Sequence, residues 1–273
     1  MTPESSPGVG GDEGALLEAL RADPSRTAIL TDVDGTLAPI VERPEDAAVP
    51  APVAELLERL NERYALVGCV SGRQATEARR IVGVEGIAYA GNHGLELLLP
   101  GEEQPQLDPS LDGRKEGAAE FLAGLDGGEL RELELRLEDK GPIQALHWRG
   151  AEDERAAEAR AHEIAADAGR AGLEPHWGRK VLELRPVGGG GKDAAVAALL
   201  TAEGLAAAAY AGDDRTDLDA FRRLRELRDE GRLGTAVCVG VVSPEAPPEL
   251  AEESDIRVEG PAGWLSILES LEE

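Results

Sequence analysis

The chain has 273 residues and a formal net charge of −26, and 42% of its residues are hydrophobic while only 3% are aromatic. This length exceeds the usual size of a single domain, so we expect two domains. With 54 acidic and 28 basic side chains, phosphate backbones and anionic lipids would repel the chain, which argues against nucleic acid and membrane surfaces as partners. A phosphorylated ligand would therefore need a locally basic pocket.

Residues 1–14 predict a disordered leader, because they are rich in Gly, Ser, Pro and acids and lack the basic start and apolar stretch of a signal peptide. No apolar run approaches the roughly 20 residues that span a bilayer, so we expect a cytoplasmic protein. Cys69 and Cys238 each lie in an apolar, strand-like run. They predict two buried thiols rather than a disulfide framework, although the sequence does not exclude their pairing.

Strand-like apolar runs alternate with helical patterns in the first and last parts of the chain. The predicted elements are a strand at 28–31, a helix at 52–62, a strand at 65–70, a helix after Ser71, a strand near 87–90, and later a helix at 192–203, a strand at 207–211, a helix at 217–230, a strand at 236–241 and a helix near 263–271. This alternation predicts an α/β fold, a doubly wound, Rossmann-like parallel sheet covered by helices on both faces.

The middle of the chain predicts a smaller α+β domain with the element order αββαββ. Its elements are a helix near 113–125, strands at 130–138 and 143–149, a helix at about 152–171, and strands at 173–176 and 179–185. We therefore expect a cap domain at 101–186, inserted into a core domain formed by 15–100 and 187–273. Four consecutive glycines at 188–191 predict a hinge.

The strongest chemical signal lies in residues 29–40, where an apolar run ends in Asp32 and Asp34 and breaks at Gly35. Glycine lets the backbone turn sharply just after the two acids. If the extended geometry continued, both side chains would share one strand face. Two carboxylates this close repel each other unless a cation lies between them or one holds a proton. The segment therefore indicates Mg²⁺ and acid–base chemistry.

Three further polar segments follow predicted strands, and carboxyl ends of parallel strands line one crevice, so we expect all four segments to converge. They are Ser71-Gly72-Arg73, Lys192 after the glycines, and Gly212-Asp213-Asp214 with Asp217. Together they offer acids for Mg²⁺ and a serine and a lysine for phosphate oxygens, which suits phosphoryl transfer. Singly, each segment also fits a turn, a helix cap or a surface cation.

These motifs resemble those of the haloacid dehalogenase superfamily of phosphatases, and further segments resemble the trehalose-6-phosphate phosphatase family within it. The segments that carry the narrower resemblance are 34–40, 43–47, 71–73, 91–96, 138–140, 147–149, 180–186 and 212–221. They cover both predicted domains, from about Ile29 to the C-terminus.

The resemblance implies catalytic roles for residues of the core. Asp32 would be the nucleophile that forms an aspartyl-phosphate. Asp34 would protonate the leaving sugar oxygen and then activate the water that attacks the intermediate. Lys192 and Ser71 would bind the phosphoryl oxygens.

The resemblance also implies a Mg²⁺ site. Its ligands would be the carboxylates of Asp32 and Asp213 and the backbone carbonyl of Asp34. Asp214 and Asp217 would support the metal or Lys192 from nearby.

Substrate choice would lie with the cap, which closes over the site in this family and excludes water. The expected sugar-binding residues are Gly72, Arg73, Asn92 and His93 from the core and Lys140, His147, Lys180 and Glu183 from the cap. For some of these residues an ordinary structural role is an open alternative to sugar binding. Asn92-His93-Gly94 could form a turn, His147 could be an ordinary strand histidine, and Glu183 could form an exposed cross-strand pair with Lys180.

The implied reaction is hydrolysis of a small-molecule sugar phosphate, trehalose 6-phosphate. The open alternatives are a phosphatase of the sucrose-phosphate or mannosyl-phosphoglycerate type, a phosphotransferase, and a non-catalytic sugar-phosphate-binding regulatory domain. One departure from the family pattern is Asp193, which follows Lys192 where glycine is usual. The sequence does not give the oligomeric state.

Overall fold

A computed structural model of the chain describes residues 11–41, 43, 46–114, 116–178, 180–188, 190–202, 204–244 and 246–273. Two compact units are present: the described residues up to Gln106 together with Gly191–Glu273, and Leu107–Gly190. Each boundary lies a few residues beyond the one predicted from the sequence. The second boundary falls within the glycine segment 188–191, of which Gly189 lies outside the described residues.

Strands and helices alternate along most of the chain, and their numbering runs through both units. The strands are β1 (Thr27–Asp32), β2 (Leu66–Val70), β3 (Ala88–Gly91), β4 (Glu96–Leu98), β5 (Gln106–Leu107), β6 (Arg136–Lys140), β7 (Ile143–His147), β8 (Leu173–Gly178), β9 (Val181–Pro186), β10 (Ala207–Gly212), β11 (Thr235–Val242) and β12 (Ile256–Glu259). The α-helices are α1 (Gly11–Arg21), α2 (Ala51–Arg63), α3 (Ala75–Val82), α4 (Gly117–Ala123), α5 (Gly127–Glu132), α6 (Glu154–Arg170), α7 (Lys192–Leu199), α8 (Asp217–Asp229), α9 (Pro248–Glu252) and α10 (Gly260–Glu272).

The larger unit is built on a mixed sheet in the strand order β12-β11-β10-β1-β2-β3-β4-β5. The strands from β12 to β3 are parallel, and β4 runs antiparallel to β3. Every residue of β1 is buried, and its consecutive residues Ile29 and Leu30 belong to hydrophobic clusters on opposite faces. Burial on both faces is typical of a central parallel strand. The predicted α/β fold is confirmed.

The smaller unit has a four-stranded antiparallel sheet in the order β6-β7-β9-β8. Its core packs apolar side chains of β7 and β9 with those of α4 and α6, among them Leu146, Leu182 and Ile164. The element order is αββαββ with one added helix, α5, between α4 and β6.

The predicted strand at 130–138 is wrong in its first part, where the chain forms α5. The observed strand, β6, begins only at Arg136. The carboxylate of Asp126 accepts hydrogen bonds from the backbone N–H groups of Gly128 and Glu129. These bonds satisfy donors at the start of α5, and Leu130 is buried. The cap residue therefore outweighs the strand-like run of apolar residues behind it.

The predicted leader needs a second correction, because α1 begins at Gly11 and buries Leu17 and Leu20. Residues 1–10 lie outside the described residues. The sequence prediction also omitted the short elements β4, β5, α9 and β12. Cys69 and Cys238 are buried free thiols, as predicted. Over the described ranges, we find no helix that combines the length and apolar character of a membrane span.

Candidate active site

Asp32 ends β1 at the carboxyl edge of the sheet, and the chain turns directly behind it. The carbonyl of Val33 accepts hydrogen bonds from the N–H groups of Leu37 and Ala38, at 3.0 and 2.9 Å. Gly35 has a φ of 92°, in the left-handed region. A Cβ added to Gly35 would lie 2.2 Å from Oδ2 of Asp213. Glycine therefore permits both the turn and the close approach of Asp213.

Lys192, the first residue of α7, extends its ammonium into a buried group of acids. Its Nζ lies 2.7 Å from Oδ1 of Asp32 and 2.6 Å from Oδ1 of Asp217. The side chain of Lys192 is only 3% exposed. Burial opposes the charged lysine, but Asp217 and Asp32 outweigh it and hold the pKa of Lys192 well above its usual range. The lysine is therefore a fixed positive charge beside Asp32.

Asp217 is the most enclosed acid of the group, at 0% exposure. Its Oδ1 accepts hydrogen bonds from Lys192 and from the hydroxyl of Tyr210, each at 2.6 Å. Its Oδ2 accepts the backbone N–H groups of Asp213 and Asp214, at 3.0 and 2.9 Å. Tyr210 was not among the site residues predicted from the sequence. The signal that could have identified it is its position three residues before Asp213, in the strand that leads to the acids.

Asp213 follows β10 and accepts a hydrogen bond from the hydroxyl of Thr36 at 3.2 Å. Burial and the charges of Asp217 and Asp214 raise the pKa of Asp213 to about 7. Burial likewise raises the pKa of Asp32 well above its usual range, against the lowering effect of Lys192. Both shifts arise chiefly from burial, and the neighbouring carboxylates add to it.

Carboxylate oxygens of Asp32, Asp213 and Asp217 lie within 4.8 Å of one another, which is the geometry of a possible metal site. One lysine cannot balance three buried carboxylates, so the donor set fits a divalent cation that prefers oxygen ligands, such as Mg²⁺. Asp214 stands apart, since its carboxylate is 56% exposed and lies 3.9 Å from Nζ of Lys192.

Ser71 and Arg73 follow β2, the neighbour of β1 in the sheet. Oγ of Ser71 accepts a hydrogen bond from the N–H of Arg73 at 3.1 Å, and Ser71 is buried. The guanidinium of Arg73 contacts the carboxylates of Asp34 and Glu77. Arg73, expected at the sugar, thus contacts the second acid of the Asp32–Asp34 pair.

Asn92, His93 and Gly94 form a 3₁₀ turn after β3, and the first two residues have left-handed φ values of 49° and 55°. The N–H groups of Asn92 and His93 bond the carbonyls of Arg73 and Ser71, at 2.7 and 3.0 Å. The predicted turn is therefore present, and it lies against the Ser71-Gly72-Arg73 segment. A Cβ on Gly72 would lie 2.7 Å from Nε2 of His93.

Glu96 stabilises the turn at Asn92-His93-Gly94 by hydrogen bonds, and it was not among the predicted site residues. Its carboxylate accepts the side-chain N–H of Asn92 at 2.8 Å and the backbone N–H of Ala75 at 2.9 Å. Burial raises the pKa of Glu96. The acid in the Asn92-His93-Gly94-Leu95-Glu96 segment was the signal that could have identified it.

In the smaller unit, Lys140, His147 and Glu183 lie on one face of β6, β7 and β9, as the strand register requires. Lys140 pairs with Glu183 at 2.9 Å, and His147 contacts Glu138 at 2.7 Å. Glu183 also pairs with Arg185.

Lys180 does not join this group. It lies in the turn between β8 and β9 with a left-handed φ of 63°, and its ammonium pairs with Glu154 at 2.6 Å. The alternative of a Glu183–Lys180 cross-strand pair is therefore wrong, because each side chain has a different partner.

The larger unit carries Asp32 and Asp213 at the carboxyl edge of its parallel strands and Lys192 at the start of an adjacent helix, and it has the fold of the haloacid dehalogenase-like hydrolases. A solved haloacid dehalogenase-like hydrolase from Bacteroides thetaiotaomicron has a TM-score of 0.58 to this chain, at 15% identity, over 89% of this chain and 98% of that one. At this identity the likeness shows the fold alone.

The family model described as trehalose-phosphatase matches residues 30–247, so the chain belongs to the trehalose-phosphatase family. A solved trehalose-6-phosphate phosphatase related protein has a TM-score of 0.67 and 26% identity, over 90% of this chain and 96% of that one. The trehalose-phosphate phosphatase of Mycobacterium avium is 33% identical over 82% of this chain. The chain spans 61% of that relative and less than two thirds of others that it matches.

Proposed function

We propose that the chain is a Mg²⁺-dependent phosphatase that hydrolyses trehalose 6-phosphate to trehalose and phosphate. The observation that carries this proposal is the buried pairing of Asp32 with Lys192, beside Asp213, at the carboxyl edge of a parallel sheet. The family of the chain and the names of its relatives supply the substrate.

In the first step, a carboxylate oxygen of Asp32 attacks phosphorus and the bond from phosphorus to the sugar oxygen breaks. Asp34 enters this step protonated and gives its proton to the departing oxygen, which leaves as a hydroxyl. Lys192 holds the phosphoryl oxygens by charge, and Ser71 offers its hydroxyl to them. A Mg²⁺ bound by Asp32, Asp213 and the carbonyl of Asp34 would supply further positive charge for these oxygens.

In the second step, water attacks the phosphorus of the aspartyl-phosphate and the bond to Asp32 breaks. Asp34, now ionised, takes the proton from the attacking water, so Asp32 and Asp34 return to their starting states. One substrate and one water thus give one sugar and one phosphate.

The roles of the predicted sugar-binding residues form part of the proposal. Lys140, His147 and Glu183 share a polar face that offers both donors and acceptors to hydroxyl groups. Lys180 is the weakest member of the set, since it pairs with Glu154 and not with this face.

The test is phosphate release from a panel of substrates: trehalose 6-phosphate, sucrose 6-phosphate, mannosyl-3-phosphoglycerate, glucose 6-phosphate and p-nitrophenyl phosphate. We expect the highest kcat/KM on trehalose 6-phosphate and loss of turnover with EDTA. Comparable rates on all five would reject the trehalose assignment.

Asp32→Asn should abolish turnover, and the matched variant Asp219→Asn, at an exposed acid of α8 paired with Arg222, should not. Hydrolysis in ¹⁸O-labelled water separates the two reaction types, because a phosphatase places one labelled oxygen in phosphate, whereas a phosphotransferase passes the phosphoryl group to a second sugar. Absence of metal-dependent turnover on every substrate would favour the binding-domain alternative.

A further inference from the structure

We propose that Tyr210 is a positioning residue, which holds the ammonium of Lys192 against the Asp32 carboxylate by fixing Asp217. Only the kinetic part of this inference rests on the proposed function, since the geometry concerns four side chains that are all buried. The site expected from the sequence did not include Tyr210.

The contact is direct. The hydroxyl of Tyr210 donates to Oδ1 of Asp217 at 2.6 Å, and Nζ of Lys192 donates to the same oxygen at 2.6 Å. Nζ also donates to Oδ1 of Asp32 at 2.7 Å. A change in the orientation of the Asp217 carboxylate would therefore move the lysine relative to Asp32.

Asp217 has no remaining freedom. Besides Tyr210 and Lys192, its carboxylate accepts the backbone N–H groups of Asp213 and Asp214. Four donors match the roughly four lone-pair positions of a carboxylate. A Cβ on Gly212 would lie 2.1 Å from Cγ of Asp217, so the backbone also encloses it. Asp217 is thus better suited to hold Lys192 than to coordinate a metal.

The ring of Tyr210 is itself fixed. It is fully buried on β10 and meets the ring of Phe221 edge-on, with centroids 6.0 Å apart. The hydroxyl therefore reaches Asp217 from a rigid support, which is what a positioning group needs.

The other two tyrosines of the chain make a different kind of contact. The hydroxyl of Tyr64 donates to the backbone carbonyl of Leu271 at 2.9 Å, and that of Tyr89 donates to the carbonyl of Val84. Both satisfy a buried hydroxyl with the backbone. Tyr210 alone donates to a carboxylate that also holds a lysine, and Tyr64 provides a matched control.

The chain has four lysines, so ¹⁵N labelling of the lysine side chains gives four ammonium signals. Among the lysines that the structure describes, Lys192 is the buried one. We expect its N–H signal to persist in the wild type, to shift in Tyr210→Phe and to stay unchanged in Tyr64→Phe. In the wild type, a nuclear Overhauser effect should join the Tyr210 hydroxyl proton to the Lys192 ammonium, because they share one acceptor. This measurement needs no variant and decides the matter if Tyr210→Phe does not fold.

In kinetics, a hydrogen bond to a charged group leads us to expect a fall in kcat of about tenfold for Tyr210→Phe, with KM changed less than about threefold. Tyr64→Phe should keep the wild-type kcat. An unshifted Lys192 signal and a kcat equal to that of Tyr64→Phe would overturn the proposal, as would absence of the Overhauser effect. If the wild type hydrolyses no phosphate ester, the proposed function fails while the two magnetic resonance measurements still decide the role of Tyr210.

Discussion

Arg73 holds the carboxylate of Asp34 in a two-pronged ion pair, with Nε 2.7 Å from Oδ2 and Nη2 2.8 Å from Oδ1. The remaining terminal nitrogen, Nη1, contacts Glu77 on α3 at 2.7 Å. Two parallel N–H···O bonds fix the orientation of a carboxylate more firmly than a single contact does. Arg73, in the segment that precedes α3, therefore sets the direction of the ionised Asp34 side chain, the form that we propose as the base of the second step.

Replacement of Arg73 by methionine should lower kcat on trehalose 6-phosphate by about 10- to 100-fold, because a misplaced acid loses much of its catalytic effect. Nitrophenolate leaves without a proton, so the pre-steady-state burst from p-nitrophenyl phosphate should change by less than about threefold. Arg73→Lys should be intermediate, since lysine keeps the charge but not the fork. Glu77→Gln leaves the Arg73–Asp34 pair in place and is the control. Equal losses on both substrates would show that Arg73 acts elsewhere.

Gly35 offers a second test of the site. Both Gly35→Ala and Gly83→Ala place alanine at a left-handed φ, of 92° and 77°. Only the Cβ at position 35 meets the Asp213 carboxylate, whereas that at position 83 has no atom within 4 Å. Gly83→Ala should cost about 1 kcal/mol of unfolding free energy and leave activity intact. Gly35→Ala should cost more and abolish turnover, as measured by urea unfolding and phosphate release. Similar activity in the two variants would mean that the Gly35–Asp213 approach has no role.

The fold was predictable from the sequence because its signals are local. A run such as Ala28–Ile29–Leu30 is apolar throughout, which predicts a central parallel strand. In the structure, β1 is buried on both faces. Parallel strands share a carboxyl edge, which is why Asp32 and Asp213 meet although they are far apart in the chain. Lys192 follows no strand of this sheet, contrary to the expectation for all four segments, and reaches Asp32 from the start of α7.

The individual pairings were not predictable, because they depend on distances between elements. Nothing in the sequence indicates that Arg73 contacts Asp34, that Lys180 contacts Glu154, or that Tyr210 contacts Asp217. Each of these side chains could pair with many others in the sequence, and the packing of the elements determines which partner lies within reach. The misassigned strand at 130–138 has a local cause instead, since the cap at Asp126 competed with the apolar pattern.

Lys192 should contribute strongly to stability. In Lys192→Met, Asp32 and Asp217 lose their shared cation while buried, and removal of one partner from a buried ion pair costs about 3–5 kcal/mol. Lys180→Met removes a lysine from the half-exposed pair with Glu154 and should cost about 0–1 kcal/mol. Urea unfolding at neutral pH without metal measures both. A loss for Lys192→Met no larger than for Lys180→Met would contradict the burial of an ion pair at this site.

Glu183 tests the proposed sugar site. Its carboxylate pairs with Lys140 and Arg185, and Glu183→Gln keeps its shape while removing the charge that orders them. We expect KM for trehalose 6-phosphate to rise about tenfold, and the kinetics on p-nitrophenyl phosphate, which has no sugar, to stay within about twofold. Glu154→Gln removes the charge that pairs with Lys180, the weakest member of the proposed sugar site, and should change KM for trehalose 6-phosphate much less than Glu183→Gln does. A parallel loss on both substrates would place Glu183 outside sugar recognition.

Finally, the raised pKa values of Asp213 and Asp32 predict how stability depends on pH. The pKa of Asp213 rises from its ordinary value of 3.8 to about 7 in the folded protein. Between these two values the folded state binds more protons than the unfolded state, so stability is greatest below the lower value and is lost as pH rises through the higher one. One such group contributes at most about 1.4 kcal/mol per pH unit. Metal-free protein should therefore unfold more readily at pH 8 than at pH 5.

Mg²⁺ should reverse this trend, because it binds the ionised acids. At 100 times its dissociation constant it should add about 2.7 kcal/mol, mostly at the higher pH. Asp213→Asn should flatten the metal-free dependence and remove the Mg²⁺ effect, while Asp219→Asn should follow the wild type. Thermal unfolding at pH 5 and pH 8, with EDTA or with Mg²⁺, measures all four conditions. If Asp213→Asn and the wild type gave the same curves, Asp213 would be neither the titrating acid nor a metal ligand.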